Sequence, residues 1–173
     1  IEAVIRQHLD IAKKLVKHEP RLTNIFNLFE FGLNTLHRNA IWTNTKFNDK
    51  IRQLCKKKAH LGILELLPSQ REALSDNLLD VAANVTVLQM PTSAGKTLLA
   101  EFNIIVTKAL RSDAKIIYIV PSRALVNQIY FDLKSDLDDL GLSIEKTSSA
   151  IEIDPTEDSF LNCDEKIDVL VST

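Results

Sequence analysis

The sharpest chemistry in the chain lies in one run, Met90-Pro91-Thr92-Ser93-Ala94-Gly95-Lys96-Thr97. It sits between an apolar stretch, Val85-Thr86-Val87-Leu88, and a helical pattern that continues through Leu98, Leu99, Ala100 and Phe102. A tight turn that opens a helix aims successive backbone N–H groups at one small volume, and the helix dipole favours negative charge there. A triphosphate needs that density of donors. Pro91, Thr92, Ser93 and Ala94 form the turn, and Gly95 permits the close approach of backbone to ligand. Lys96 would set an ammonium against the outer phosphates, and the Thr97 hydroxyl would be a ligand to the Mg²⁺ that bridges them. A nucleoside triphosphate with Mg²⁺ is the expected ligand. The loop departs from the general pattern in one respect: Met90 stands where the first glycine is usual. The plainer alternative is a helix start capped by Ser93 with Lys96 exposed, but a lysine in the first turn opposes the dipole.

Such a loop needs a strand before it and a helix after it. Ile1, Val4, Ile5, Leu9, Ala12, Leu15 and Val16 recur at helical spacing until Pro20. Leu22, Ile25, Phe26, Phe29, Leu33 and Leu36 repeat the pattern, and a weaker helix is expected from Asn48 to His60. After Pro68 the pattern changes. Ser69 is expected to cap a helix running through Ala82, followed by a strand at Val85–Leu88 and a helix from Gly95 to Leu110. A buried strand Lys115–Val120, a helix from Ser122 to Leu140 stopped by Gly141, and strands at Leu142–Lys146 and Ile167–Val171 complete the series. Strands alternating with helices of this length predict an α/β fold with a parallel sheet, preceded by an all-helical region.

Composition sets the bounds. A chain of 173 residues holds one full domain and at most part of a second. With 45% hydrophobic and 25% charged residues it is an ordinary globular sequence, not a disordered or fibrous one. The net charge of −2 hides an asymmetry: residues 1–67 carry 12 Lys/Arg against 6 Asp/Glu, and residues 68–173 carry 9 against 17. No apolar run approaches the roughly 18 residues of a membrane-spanning helix, and the first residues lack the apolar core of a secretion signal. Cys55 and Cys163 form no disulfide framework, which fits a reducing cytoplasm. The chain begins without Met and stops within an apolar pattern, so it reads as a piece of a longer protein.

Three further segments stand in order around the loop: Leu67-Pro68-Ser69-Gln70-Arg71-Glu72-Ala73-Leu74 before it, then Pro121-Ser122-Arg123-Ala124-Leu125-Val126-Asn127-Gln128 and Asp168-Val169-Leu170-Val171-Ser172-Thr173 after it. In that order they resemble the motifs of superfamily II helicases. The loop with Leu98-Leu99-Ala100-Glu101 is similar to the DExH group, which includes archaeal repair helicases and RNA-exosome helicases. The resemblance covers about residues 64–173. It implies a partial RecA-like P-loop NTPase sheet, the first motor domain, preceded by a helical accessory region over 1–63. It implies that Gln70 reads the adenine edge, for which a carboxamide offers one donor and one acceptor. Ser122 and Arg123 would grip the backbone of DNA or RNA, since a hydroxyl, a guanidinium and free amides at a helix N-terminus contact phosphates without reading bases. Thr173 would touch the same strand. The nearest upstream aromatic is Phe47, and Thr147-Ser148-Ser149 stands where the family shows a Thr-Gly-Asp-like turn. The catalytic Asp-Glu pair and the second RecA-like domain with its arginine finger are expected beyond Thr173.

Other features read as structural. Asp136-Leu137-Asp138-Asp139 imitates the start of a calcium loop, but Leu140 and Thr147 occupy its fifth and twelfth positions, so a solvated helix face is expected. Lys56-Lys57-Lys58 could steer nucleic acid, although a solvated helix end is simpler. Asn84-Val85-Thr86 matches the glycosylation pattern but opens the expected core strand, and His8, His18, His37 and His60 show no metal spacing. Trp42, Phe26, Phe29 and Phe31 are expected in the core. The reading is the ATP-binding part of an ATP-dependent helicase, with the isolated chain binding nucleotide weakly and hydrolysing little. Two alternatives stay open: a translocating ATPase of a restriction or remodelling system that never separates strands, and a nucleotide-binding scaffold whose helical region recruits a partner.

Overall fold

The computed structural model describes residues 2–45, 48–83, 85–147, 160 and 166–173, without the side chains of residues 2 and 3. Phe47, Asn84, Ser148, Ser149 and Cys163 lie outside the described residues. Helices α1 (Glu2–Val16) and α2 (Pro20–Asn39) form a hairpin. Pro20 fits the first helical turn because its missing N–H would have no helical acceptor there. The Thr23 hydroxyl closes the corner on the Val16 carbonyl at 2.7 Å. A short α3 (Ile41–Asn44) leads to α4 (Asp49–His60), whose start is capped by Asn48 Oδ1 accepting from the Ile51 N–H at 2.8 Å.

Helix α5 runs only from Pro68 to Ser75, not from Ser69 to Ala82. Pro68, not Ser69, sets its start, with Leu67 at the cap position. The helix ends because Asn77 adopts a left-handed φ of 62°, which breaks the helical ladder. Helix α6 (Lys96–Leu110) follows the loop, then β1 (Ile116–Ile119), α7 (Arg123–Leu137), a 3₁₀ turn (Asp138–Leu140), β2 (Ile144–Lys146) and β3 (Val169–Ser172). Gly141 stops the 3₁₀ turn at φ 73°. The strands form a parallel sheet of order β1-β3-β2, with Ile119 opposite Ser172 and Ile144 opposite Val169. This is the parallel α/β arrangement the sequence predicts, in partial RecA-like form.

Two strand expectations need correction. Val85–Leu88 is not a strand among the described residues: Val85 and Val87 are exposed, while Leu88 and Met90 lean on the core from one side. The β-prone residues alternate as a strand would, but a strand also needs a partner ladder, and these make none with the described residues. In β1 only one face is covered, and Ile117 and Ile119 point outward.

One apolar core joins the two parts of the chain. Ile41, Ile51, Leu54 and Cys55 pack in the same cluster as Phe102 and Ile105 of α6, Leu133 and Leu137 of α7, and Val169 and Val171 of β3. Helix α4 is thus built into the α/β unit, touching both α6 and α7. The expected aromatic core of α2 is not one: Phe26 is buried, but Phe29, Phe31 and Trp42 are exposed. Among the described residues no helix is long and apolar enough to cross a membrane.

Candidate nucleotide site and nucleic-acid edge

The loop from Pro91 to Gly95 turns on two left-handed residues, Ser93 at φ 62° and Gly95 at φ 72°. Gly95 is the N-cap of α6, and no side chain caps that helix end. The N-terminal amides of a fifteen-residue helix therefore open onto the loop, with no acidic residue in the first turn to complement the dipole, which suits an anion. Ser93 is exposed at the bend and does not cap the helix. Lys96 is exposed, and its Nζ donates to the Pro91 carbonyl at 2.9 Å, so the ammonium lies over the loop it closes. Thr97 is half-buried on the first turn, next to Lys96. Ala94 is buried, while Pro91 and Thr92 are exposed. This donor set, of helix amides, one ammonium and one hydroxyl, fits a Mg²⁺-bound polyphosphate.

Gln70 is held against this loop from beneath. Its Oε1 accepts from the Leu67 N–H at 2.8 Å, and its Nε2 donates to the Gly95 carbonyl at 2.9 Å. Only 3% of the residue is exposed, so most of the carboxamide is committed to stapling α5 to the loop. One N–H and one lone pair remain beyond these bonds. The staple also explains why position 95 needs glycine: a Cβ there would collide with Gln70 Nε2.

The residues expected to grip nucleic acid meet at the carboxyl edge of the sheet. Ser122 is the exposed N-cap of α7 just past β1, and Arg123 is exposed on its first turn. Thr173 is exposed just past β3. The two strand ends are neighbours: Val120 donates its N–H to the Ser172 carbonyl at 2.9 Å. Thr147 follows β2 on the same edge, its hydroxyl 3.3 Å from that of Ser172. Ligands of open parallel sheets collect outside this edge.

A charged cluster that the sequence reading missed lies behind the loop helix. Lys58 of α4 is buried, not solvated, with its Nζ 2.7 Å from Asp136 Oδ2 on α7 and 3.0 Å from Glu101 Oε2 on α6. Asp136 is likewise buried, not on a solvated face. Lys57 pairs with Asp139 at 2.8 Å, so two of the three lysines of the run bind protein carboxylates. The Lys58 hydrogen bond goes to Glu101 Oε1 at 3.2 Å, and Oε2 has no aligned donor. Burial, only partly offset by Lys58 and reinforced by the facing Asp136, pushes Glu101 up to about 7. Burial alone would depress Lys58, but the two carboxylates outweigh it and hold its ammonium above the ordinary lysine range. The missed signal was positional. Lys58 follows Ile51, Leu54 and Cys55, Glu101 lies between Leu98 and Ile105, and Asp136 follows Ile129 and Leu133, each at the spacing of an apolar stripe.

Comparison with known proteins identifies the family. Residues 67–173 match the DEAD/DEAH box helicase family. ATP-dependent DNA helicase Hel308 of Pyrococcus horikoshii is 35% identical over 99 residues, 57% of this chain and 13% of the relative. Hel308 of Pyrococcus abyssi is 33% identical over 126 residues, 73% of this chain and 16% of the relative. Hachiman protein HamB of Bacillus cereus is 30% identical over 151 residues, 82% of this chain and 13% of the relative. That last match covers more of the chain than residues 67–173 hold, so it reaches into the helices before α5. The chain spans less than a fifth of the length of these curated relatives. On the family match across residues 67–173, the chain belongs to the DEAD/DEAH box helicases.

Proposed function

We propose that the chain is the ATP-binding part of an ATP-dependent DNA helicase, with residues 64–173 forming the first RecA-like motor domain and residues 1–63 a helical accessory region. The observation that carries this reading is the left-handed Ser93/Gly95 turn opening the uncapped N-terminus of α6 under the Lys96 ammonium. Lys96 would leave the Pro91 carbonyl for the outer phosphates, and Thr97 would hold Mg²⁺, which supplies charge neutralisation at the transferring phosphate. Pro91, Thr92, Ser93, Ala94 and Gly95 would surround the phosphates with backbone. Gln70 keeps Gly95 in place, and the adenine contact implied by resemblance would use its remaining N–H and lone pair. Ser122, Arg123 and Thr173 would hold one nucleic-acid strand by its backbone at the sheet edge. DNA is favoured because the Hel308 relatives are named DNA helicases. A second RecA-like domain of the same longer protein would close on the nucleotide, and a cytoplasmic setting accords with a helicase role.

The test is calorimetric titration of the chain with ATP and Mg²⁺ beside Lys96→Ala. Saturable binding that the substitution weakens at least about tenfold is expected, since one charge-assisted phosphate contact is worth about 1.5–3 kcal/mol. Equal binding by the folded variant would remove Lys96 from the site. Hydrolysis by the chain alone is expected to be slight, and DNA-stimulated turnover is to be measured in the whole protein.

A further inference from the structure

Helix α7 carries a second feature on the same side as Arg123. Arg123, Asn127, Tyr130, Phe131 and Lys134 recur at helical spacing, so they line one stripe that begins at the sheet edge. Eight residues of helix place Phe131 about 12 Å from Arg123. Tyr130 and Phe131 pair edge to face, with centroids 5.3 Å apart and planes at 63°. Phe131 is 63% exposed, and Lys146, at the carboxyl end of β2, reaches across to it. Its Nζ donates to Asn127 Oδ1 at 2.5 Å and lies 5.0 Å from the Tyr130 centroid and 5.4 Å from that of Phe131. Lys134 also lies over Tyr130, 5.1 Å from its centroid, and donates to its hydroxyl at 2.8 Å. The acids beside Lys134 are Glu145, at 4.0 Å, and Asp138 on the turn after α7.

An aromatic pair with a ring face open to solvent and two ammonium groups beside it fits a particular ligand chemistry. Bases stack on rings whatever their sequence, and cations beside the rings meet the phosphates that connect those bases. An acidic peptide would use the cations but gain little from the ring faces. A duplex would hide its bases from them.

We infer that Tyr130 and Phe131, flanked by Lys134 and Lys146, form a stacking platform for single-stranded nucleic acid that continues the backbone grip of Ser122 and Arg123. The inference rests on the proposed nucleic-acid reading of that grip. The platform adds what a backbone grip lacks: a preference for unpaired bases over duplex. The strand would pass from the sheet edge along α7, its phosphates beside Lys146 and a base against Phe131.

The test measures the affinity of the 173-residue chain for a labelled oligothymidylate, a duplex of equal length and polyglutamate, across a range of salt. Phe131→Ala is expected to weaken single-strand binding about tenfold, from the loss of one stacked base, without changing the salt slope or duplex binding. Lys146→Gln is expected to reduce the salt slope by about 0.7, the value for one phosphate contact on a single strand. Arg123→Ala is the control for the grip. If Arg123→Ala weakens binding while Phe131→Ala and Lys146→Gln match the unaltered chain, the platform is wrong and the grip stands. If the unaltered chain binds no oligothymidylate even at low salt, the grip and the platform fall together. Polyglutamate binding as tight as oligothymidylate, and equally lowered by Lys146→Gln, would make the patch a site for acidic peptides and overturn the inference.

Discussion

Glu101 offers a sharp test of the electrostatics behind the loop. Its carboxylate shares one buried ammonium with Asp136, so the cluster holds two acids against one base, and Glu101 rises from an ordinary 4.5 to about 7. At about 1.4 kcal/mol per pH unit, that rise corresponds to about 3 kcal/mol. The sign follows from proton counting. Between 4.5 and 7 the native state holds a proton on Glu101 that the unfolded chain has lost, so stability from this group is complete below 4.5 and falls as pH rises towards 7. Glu101→Gln keeps the shape, removes the titration and leaves Lys58 with one carboxylate. Urea unfolding of both proteins from pH 4.5 to 8 is the assay. The difference in unfolding free energy, variant minus unaltered, is expected to climb by about 3 kcal/mol in favour of the variant across that window. Titrating groups outside the Lys58–Glu101–Asp136 cluster are common to both proteins and cancel. A difference that stays flat would show that Glu101 ionises normally in the fold, and the account of the cluster would be wrong.

Two other perturbations probe the frame of the site. Gly95→Ala is expected to abolish measurable ATP binding in the folded chain and to cost about 1–2 kcal/mol from the left-handed backbone, with more from the displaced Gln70 carboxamide. Unchanged calorimetric binding by that variant would contradict the tight fit between loop and staple. Lys108 of α6 pairs with Asp168 at 2.8 Å, both side chains almost wholly buried. Burial would raise Asp168, but Lys108 and the Ser143 N–H outweigh it and hold the carboxyl below its ordinary range. Its contribution is therefore present above pH 3.8 and lost as pH falls through its lowered native value. Lys108→Met is expected to cost about 3–5 kcal/mol at neutral pH and to remove that part of the acid transition, followed by circular dichroism. An acid limb identical in both proteins would refute the pairing.

How far the sequence disclosed this molecule depended on whether the determining interaction was local. The loop was legible because Gly95, Lys96 and Thr97 act through their own backbone and the helix they start. The break between the first two helices at Pro20, the helix start at Asn48 and the stop at Gly141 were legible for the same reason, and so was a parallel sheet from the alternation of elements. Val85–Leu88 shows the opposite case. Its alternating β-branched residues describe what a strand would bury, whereas ladder formation is decided by a partner far away in the chain. The early end of α5 at Asn77 escaped because Ala82 and the residues before it are compatible with a helix, and only the observed left-handed turn excludes it.

The Gln70 staple and the Lys58 cluster also required the structure, and for one reason: each joins elements distant in sequence. Gln70 was read as a group facing a ligand, and it does lie against the Pro91–Gly95 loop, but its two bonds go to Leu67 and Gly95. Lys58 was read as part of a charged surface, yet its stripe position was already inconsistent with solvent exposure. A lysine on an apolar stripe must find carboxylates or lose its charge. Glu101 and Asp136 occupy the matching positions on α6 and α7, so the three irregularities explain one another. The consequence is structural coupling. Helix α4 precedes the family-matched segment, yet it supplies the only cation that Glu101 meets among the described residues, and Glu101 stands one helical turn after Thr97. The helix whose N-terminal amides open onto the Pro91–Gly95 loop is therefore seated, in part, by a residue outside the family-matched segment.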